Sequence, residues 1–140
     1  MSDKYFLDSN IILYSVDSRD SKKQKKAIEL VEIAINSGDG VISWQVVQEC
    51  LNTVSGKFSQ QFKPADRDLF LSDYLMPLCA VYPSFSLYRQ SLALQKKTRY
   101  SFYDSLIIAG ALEADCSQLY SEDMHHGHEI QGLKILNPFH

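Results

Sequence analysis

The chain alternates short, almost uniformly apolar runs with longer two-faced stretches, and this alternation restricts the folds open to it. Lys4 to Leu7, "VIS" (Val41 to Ser43), "CAVYP", "SQLYS" and "LKIL" lack the polar–apolar alternation of a sheet with one wet face. Between them lie helical patterns. One runs from Ser21, with Ala27, Ile28, Leu30, Val31, Ile33, Ala34 and Ile35 apolar, until "NSGDG" stops it. A second spans Trp44 to Val54 behind Ser43 as N-cap, with Val46, Val47, Cys50, Leu51 and Val54 on one face. A third follows Pro64 and is expected to end at Pro77. The last two cover Phe85 to Lys97 and Phe102 to Ala114. Strands buried on both sides and separated by helices make a parallel sheet covered on each face. The fold class expected is α/β, three layers α/β/α around five parallel strands.

At 140 residues the chain has the length of one domain. The one long loop, around Gly56 to Asp66, is too short to act as a linker between domains, so residues 1–140 read as a single domain. No apolar run approaches the ~20 residues that span a bilayer, and Asp3 and Lys4 precede the first apolar stretch. Neither a signal peptide nor a membrane partner is expected, and the default location is cytoplasmic. Cys50, Cys79 and Cys116 are odd in number and without C-x-x-C spacing, which argues against a disulfide framework and a structural zinc site.

A net charge of −3 gives no overall field to attract a polyanion, so any nucleic-acid contact must be local. Two basic clusters are available: Lys22, Lys23, Lys25 and Lys26, then Lys96, Lys97 and Arg99. Runs of this kind also serve as solvated helix faces. The first cluster, however, opposes the macrodipole at a helix start, by about 0.3–1 kcal/mol per lysine, and so calls for another reason to be there.

Asp8 directly follows the first strand, the place where ligands collect in open parallel sheets. Equivalent addresses carry Glu49 in the helix after the second strand, Asp104 at the start of "FYDSLIIAGAL", and Asp123 just after the fourth strand. Taken singly, each has a structural use. Asp8 can cap a helix, Ser101 to Asp104 matches a capping box, Asp123 suits a turn, and Glu49 can face solvent. Taken together they pose a problem of charge. Two carboxylates ~4 Å apart repel by about 4 kcal/mol at an effective dielectric near 20, several times what a helix N-terminus returns. Convergence would require protons or a cation, and hard oxygens without cysteine select Mg²⁺ or Mn²⁺. Such ions activate water and stabilise charge on phosphate oxygens, which points to a phosphodiester substrate.

The stretches "FLDSNIILY", "ISWQVVQECLNTV", "YSFYDSLIIAGAL" and "LYSEDMHHG", in this order and spread over almost the whole chain, resemble the PIN-domain ribonucleases, in particular the VapC-type toxins of toxin–antitoxin pairs. The resemblance implies that Asp8, Glu49, Asp104 and Asp123 are the metal-binding catalytic acids, with Asn10 and Ser121 as supporting polar residues. It also implies a strand order 3-2-1-4-5, a homodimer, and a small antitoxin whose C-terminal segment covers the acidic site. The expected activity is Mg²⁺- or Mn²⁺-dependent hydrolysis of RNA, with Lys22, Lys23, Lys25 and Lys26 steering the substrate.

Two rival readings differ at identifiable residues. A haloacid-dehalogenase-like phosphatase needs a second aspartate two positions after the first, where this chain has Asn10, and so lacks its general acid. A phospho-receiver-like binding module would leave Glu49 without a role. "HHGH" (His125, His126, His128) invites a zinc reading, although histidines in a Gly-containing loop are more often surface residues. Trp44 and Tyr103 are base-stacking candidates, set against the commoner use of aromatics in cores and interfaces.

Overall fold

The computed structural model describes residues 3–140. Six strands form one sheet in the order β3-β2-β1-β4-β6-β5. They are β1 (Tyr5–Leu7), β2 (Gly40–Ser43), β3 (Cys79–Val81), β4 (Gln118–Tyr120), β5 (Glu129–Ile130) and β6 (Leu133–Leu136). The helices are α1 (Ser9–Ser15), α2 (Ser21–Ser37), α3 (Trp44–Ser55), α4 (Pro64–Phe70), α5 (Met76–Leu78), α6 (Phe85–Thr98) and α7 (Phe102–Glu113). β1 runs parallel to β2 on one side and to β4 on the other, with Tyr5 opposite Gly40 and Gln118.

The three-layer class stands, with one strand more than the five expected. "LKIL" is β6 and lies parallel beside β4, as the expected fifth strand should. The addition is β5, two residues long and antiparallel to β6 at the sheet edge. Its two-residue connection places Gln131 and Gly132 at φ 51° and 86°, the mirror-image turn that matches strand twist. Gln-Gly is a weaker hairpin signal than Asn-Gly, and two residues carry no periodicity, so the sequence did not announce this strand.

A second difference concerns Pro77, which does not stop the third helical region. After α4 the chain makes a π-helical turn, Leu71–Leu75, in which the Met76 N–H bonds to the Leu71 carbonyl. Pro77 then sits in the first turn of α5, directly after the π-turn. The widened turn keeps the chain helical up to β3.

The crossovers decide which helices share a face. β1 to β2 to β3 proceeds in one direction, and right-handed crossovers place α1–α5 together on one side. The chain then jumps back to β4, which puts α6 and α7, packed on each other, on the opposite side. Phe6, Leu7, Ile42, Leu119 and Ile135 of the strands are wholly buried between the layers. Every residue of α7 from Ser105 to Ala111 is buried, the behaviour of a helix apolar all round. No helix among the described residues is long and apolar enough to cross a membrane.

Candidate active site

The direction of the sheet reverses between β1 and β4, and there the carboxyl ends of two strands stand side by side. Asp8 leaves β1 and the segment Ser121–Asp123 leaves β4. The Asp8 N–H donates to the Tyr120 carbonyl at 3.0 Å, which holds the two exits together.

Asp8 is the N-cap of α1, its Oδ1 accepting from the Ser9 N–H at 2.7 Å. Its other oxygen, Oδ2, accepts from Ser121 Oγ at 2.8 Å. The residue is 5% exposed. Burial pushes its carboxyl up to about 7; the bonds from Ser121 and Ser9 act against that push, and the charges of Glu49 and Asp123 add to it. The capping role foreseen as an alternative is therefore real, yet it occupies only one of the two oxygens.

Asn10, in the first turn of α1, spans the same gap. Its Nδ2 donates to Asp123 Oδ2 at 3.0 Å, and its Oδ1 accepts from the Glu122 N–H at 3.2 Å. The Asp123 N–H in turn donates to Ser121 Oγ at 3.2 Å. Asp8, Asn10, Ser121 and Asp123 thus form one hydrogen-bonded unit across the switch point.

Glu49 and Asp104 approach from the helices. Ser43 starts α3 by accepting from the Val46 N–H, and Glu49 lies one turn further on. Burial raises its carboxyl, a bond from Ser9 opposes this, and Asp104 and Asp123 raise it again. Ser101 starts α7 by accepting from the Asp104 N–H at 3.1 Å. The Asp104 carboxyl is raised first by burial and then by Asp123, with the Ser101 hydroxyl opposing. Each of the four acids therefore lies in the field of at least two others.

Among the described residues no ion pair balances the charge of this group. The ion pairs among the described residues are Arg19–Asp17 and Lys23–Glu122, and neither includes one of the four acids. Among the same residues no three His, Cys, Asp or Glu side chains are already drawn into a metal-ligand group. Asp8 and Asp123 are joined through Ser121, and Glu49 and Asp104 lie within reach of their charge. As a donor set, four carboxylates supply hard oxygens, and burial and neighbouring charge raise the carboxyls of Asp8, Glu49 and Asp104; such a set fits a divalent cation such as Mg²⁺ or Mn²⁺.

The four lysines of α2 do not behave alike. Lys23 pairs with Glu122, stands 3.4 Å from Tyr14 Oη, and lies over the Tyr14 ring. Tyr14 Oη also donates to Glu122 Oε1 at 2.7 Å. Lys22, Lys25 and Lys26 are exposed and form no ion pair among the described residues. The tie of Tyr14 and Lys23 to Glu122, and the reach of Ser9 towards Glu49, were missed in the sequence. Only the acid beside Asp123 hinted at the first.

The histidines do not converge. His125 and His128 pack on Tyr100, with His128 Nδ1 3.2 Å from its hydroxyl. His126 accepts from the Asn137 N–H at 2.9 Å and stacks on His140.

The sequence profile of the PIN domain family matches residues 5–127. No curated protein matches the chain by sequence. Among solved structures the fold is similar to a toxin–antitoxin complex from Klebsiella pneumoniae, with a TM-score of 0.70, 17% identity, and coverage of 96% of this chain and 98% of that one. It is similar to VapBC2 of Rickettsia felis bound to a promoter DNA fragment, with a TM-score of 0.62, 19% identity and coverage of 94% and 96%. It is also similar to VapC20 of Mycobacterium tuberculosis, a toxin that cleaves the sarcin–ricin loop, with a TM-score of 0.60, 15% identity and coverage of 86% and 90%.

Proposed function

The chain belongs to the PIN domain family, and from that premise we propose that it is a metal-dependent endoribonuclease, the toxin of a toxin–antitoxin pair. The observation that supports this reading is the hydrogen-bonded unit of Asp8, Asn10, Ser121 and Asp123 at the strand switch point, with Glu49 and Asp104 in the same field of negative charge and all four acids outside every ion pair among the described residues. Similar folds in toxin–antitoxin complexes and in an RNA-cleaving toxin support the substrate class and an antitoxin partner. The same reading makes residues 1–140 one nuclease unit, working as a homodimer in the cytoplasm.

Asp8, Asp104 and Asp123 would hold Mg²⁺ or Mn²⁺ directly, and Glu49 directly or through water. When bound, such an ion supplies a water activated for attack and offsets the charge that develops on the phosphate oxygens. The protein's own contribution is orientation. Ser121 and the Ser9 amide fix both oxygens of Asp8, and Asn10 fixes Asp123. In the metal-free protein burial holds the Asp8 carboxyl up to about 7, so a bound cation would have to displace its proton. Lys22, Lys25 and Lys26 remain free to meet the RNA backbone from the rim. Asp8→Asn should abolish Mg²⁺- or Mn²⁺-dependent RNA cleavage while leaving the circular dichroism spectrum unchanged. Cleavage by this variant, or hydrolysis of phosphomonoesters alone by the wild type, would overturn the assignment.

A further inference from the structure

Beside the acids lies a cavity of about 410 Å³, within the size range of small-molecule sites, that the reading above leaves without a task. Its walls are aromatic and come from two sides of the sheet end. Trp44 at the start of α3 and Tyr82 after β3 form one wall, their rings 5.7 Å apart. Tyr88 of α6 with Phe102 and Tyr103 of α7 form the other, linked by ring contacts of 6.5 and 5.5 Å. Between the walls the floor is apolar, with Val81, Leu87 and Leu106.

These rings are not spent on the core. Trp44, Tyr82 and Tyr103 are 44%, 56% and 64% exposed. Exposed apolar surface of this kind signals an occupant. Which one follows from what the cavity adjoins and from its polar groups. Gln45, Gln48 and Tyr103 also line a second cavity that includes Glu49, so the aromatic slot adjoins that acid. Tyr103 immediately precedes Asp104. Gln45 donates its Nε2 to the Tyr103 carbonyl at 3.3 Å, whereas its Oε1 is buried with no partner among the described residues. A buried acceptor left unpaired is costly and asks for a donor.

We infer that the slot between the Trp44/Tyr82 wall and the Tyr88/Phe102/Tyr103 wall binds an unpaired RNA base next to the scissile phosphate. The inference rests on the ribonuclease reading and assigns the side chains that hold the base. The two ring clusters offer aromatic surface on which any base can stack, and the Gln45 and Gln48 amides can meet the polar edge of the base. A base held in a duplex is stacked on its neighbours and cannot enter. The slot sets that base beside Glu49, through the Gln45, Gln48 and Tyr103 that both cavities share.

Trp44 is the only tryptophan of the chain, so its emission reports on the slot. The full-length protein in EDTA is titrated with a single-stranded oligoribonucleotide, with the same strand annealed to its complement, and with an abasic strand of equal length. The base-bearing single strand should quench Trp44 and bind at least about tenfold more tightly than the other two. Tyr82→Ala and Tyr88→Ala should each weaken that binding about tenfold, the effect of losing one base–aromatic stack. With Mn²⁺ present they should raise KM and spare kcat, and Tyr82→Phe should restore wild-type KM. Equal binding of abasic and base-bearing strands without quenching would overturn the inference, while metal-dependent cleavage by the same preparation would leave the nuclease reading standing. Quenching with base-dependent affinity but no cleavage would uphold the slot and remove the nuclease reading. If Tyr82→Ala instead shifts the sedimentation coefficient and leaves RNA affinity unchanged, the slot is an interface between copies of the chain and the inference fails.

Discussion

Ser121 Oγ donates to Asp8 Oδ2 at 2.8 Å across 113 residues of sequence, and both residues are buried. This bond turns a buried carboxyl into one that can still ionise, because a hydroxyl donor favours the charged form against desolvation. Ser121→Ala should therefore raise the Asp8 carboxyl further. The acid limb of the pH–rate profile for RNA cleavage should move to higher pH, at a stability cost of about 1–2 kcal/mol for the lost bond. Cleavage rates measured on both sides of neutrality, together with thermal melts, check both.

Asp8 itself should make the metal-free protein sensitive to pH. Its folded-state carboxyl lies at about 7, against 3.8 when unperturbed, so between these values the folded chain holds a proton that the unfolded chain has released. Raising the pH through this window favours unfolding. Asp8→Asn, which cannot ionise, should match the wild type below the unperturbed value and be more stable above the folded one. At about 1.36 kcal/mol per pH unit, the ceiling on the gain is about 4 kcal/mol. Denaturant melts in EDTA measure it, and added Mn²⁺ should narrow the gap by stabilising the wild type alone.

Asn10 supports Asp123 from α1 with one donor bond and holds the Glu122 amide with one acceptor bond. Asn10→Ala removes both. Outer partners of metal-binding side chains typically change affinity by about 10- to 100-fold, so Mn²⁺ binding measured by titration calorimetry should weaken within that range. Far-ultraviolet circular dichroism should not change.

Of the α2 lysines, Lys22, Lys25 and Lys26 are outside any ion pair among the described residues, whereas Lys23 is held by Glu122 and Tyr14. Replacing those three by alanine should reduce the slope of log affinity for single-stranded RNA against log salt by about 0.7 per lost phosphate contact, up to about 2 in all. Lys23→Ala alone should leave that slope nearly unchanged. Filter binding between about 50 and 300 mM salt, over which the Debye length falls by roughly half, separates the two.

Gly40 opens β2 where α2 crosses it. A Cβ there would fall 2.1 Å from Ala34 Cβ, so the helix or the strand must move. Gly40→Ala should destabilise the fold by about 1–3 kcal/mol, the usual cost of overpacking, with no specific effect on metal affinity. A denaturant midpoint that does not fall would contradict this packing.

Much of the fold was legible because its signals are local. Helix starts at Ser21, Phe85 and Phe102 follow from capping chemistry and apolar spacing within a few residues. The elements that escaped are those without such signals. β5 is two residues long, and the helical path through Pro77 depends on a π-turn that no composition announces. The candidate acids were visible for a related reason: each follows a strand or lies in the helix after one, so the local pattern marks its address. Lys23 shows the opposite case, since one lysine among four looks like the rest until Glu122 is brought to it from 99 residues away.

From sequence alone came the layer class, the strands and helices that carry the acids, and the chemical class of ion those acids suit. Tertiary structure alone decided that Ser121 bonds both Asp8 and the Asp123 amide, that Lys23 is occupied, and that an aromatic slot opens beside Glu49. The reason is physical. Secondary structure depends on periodicity over a few residues, whereas contact across the switch point depends on which strands the crossovers set side by side, and no short window of residues contains that information.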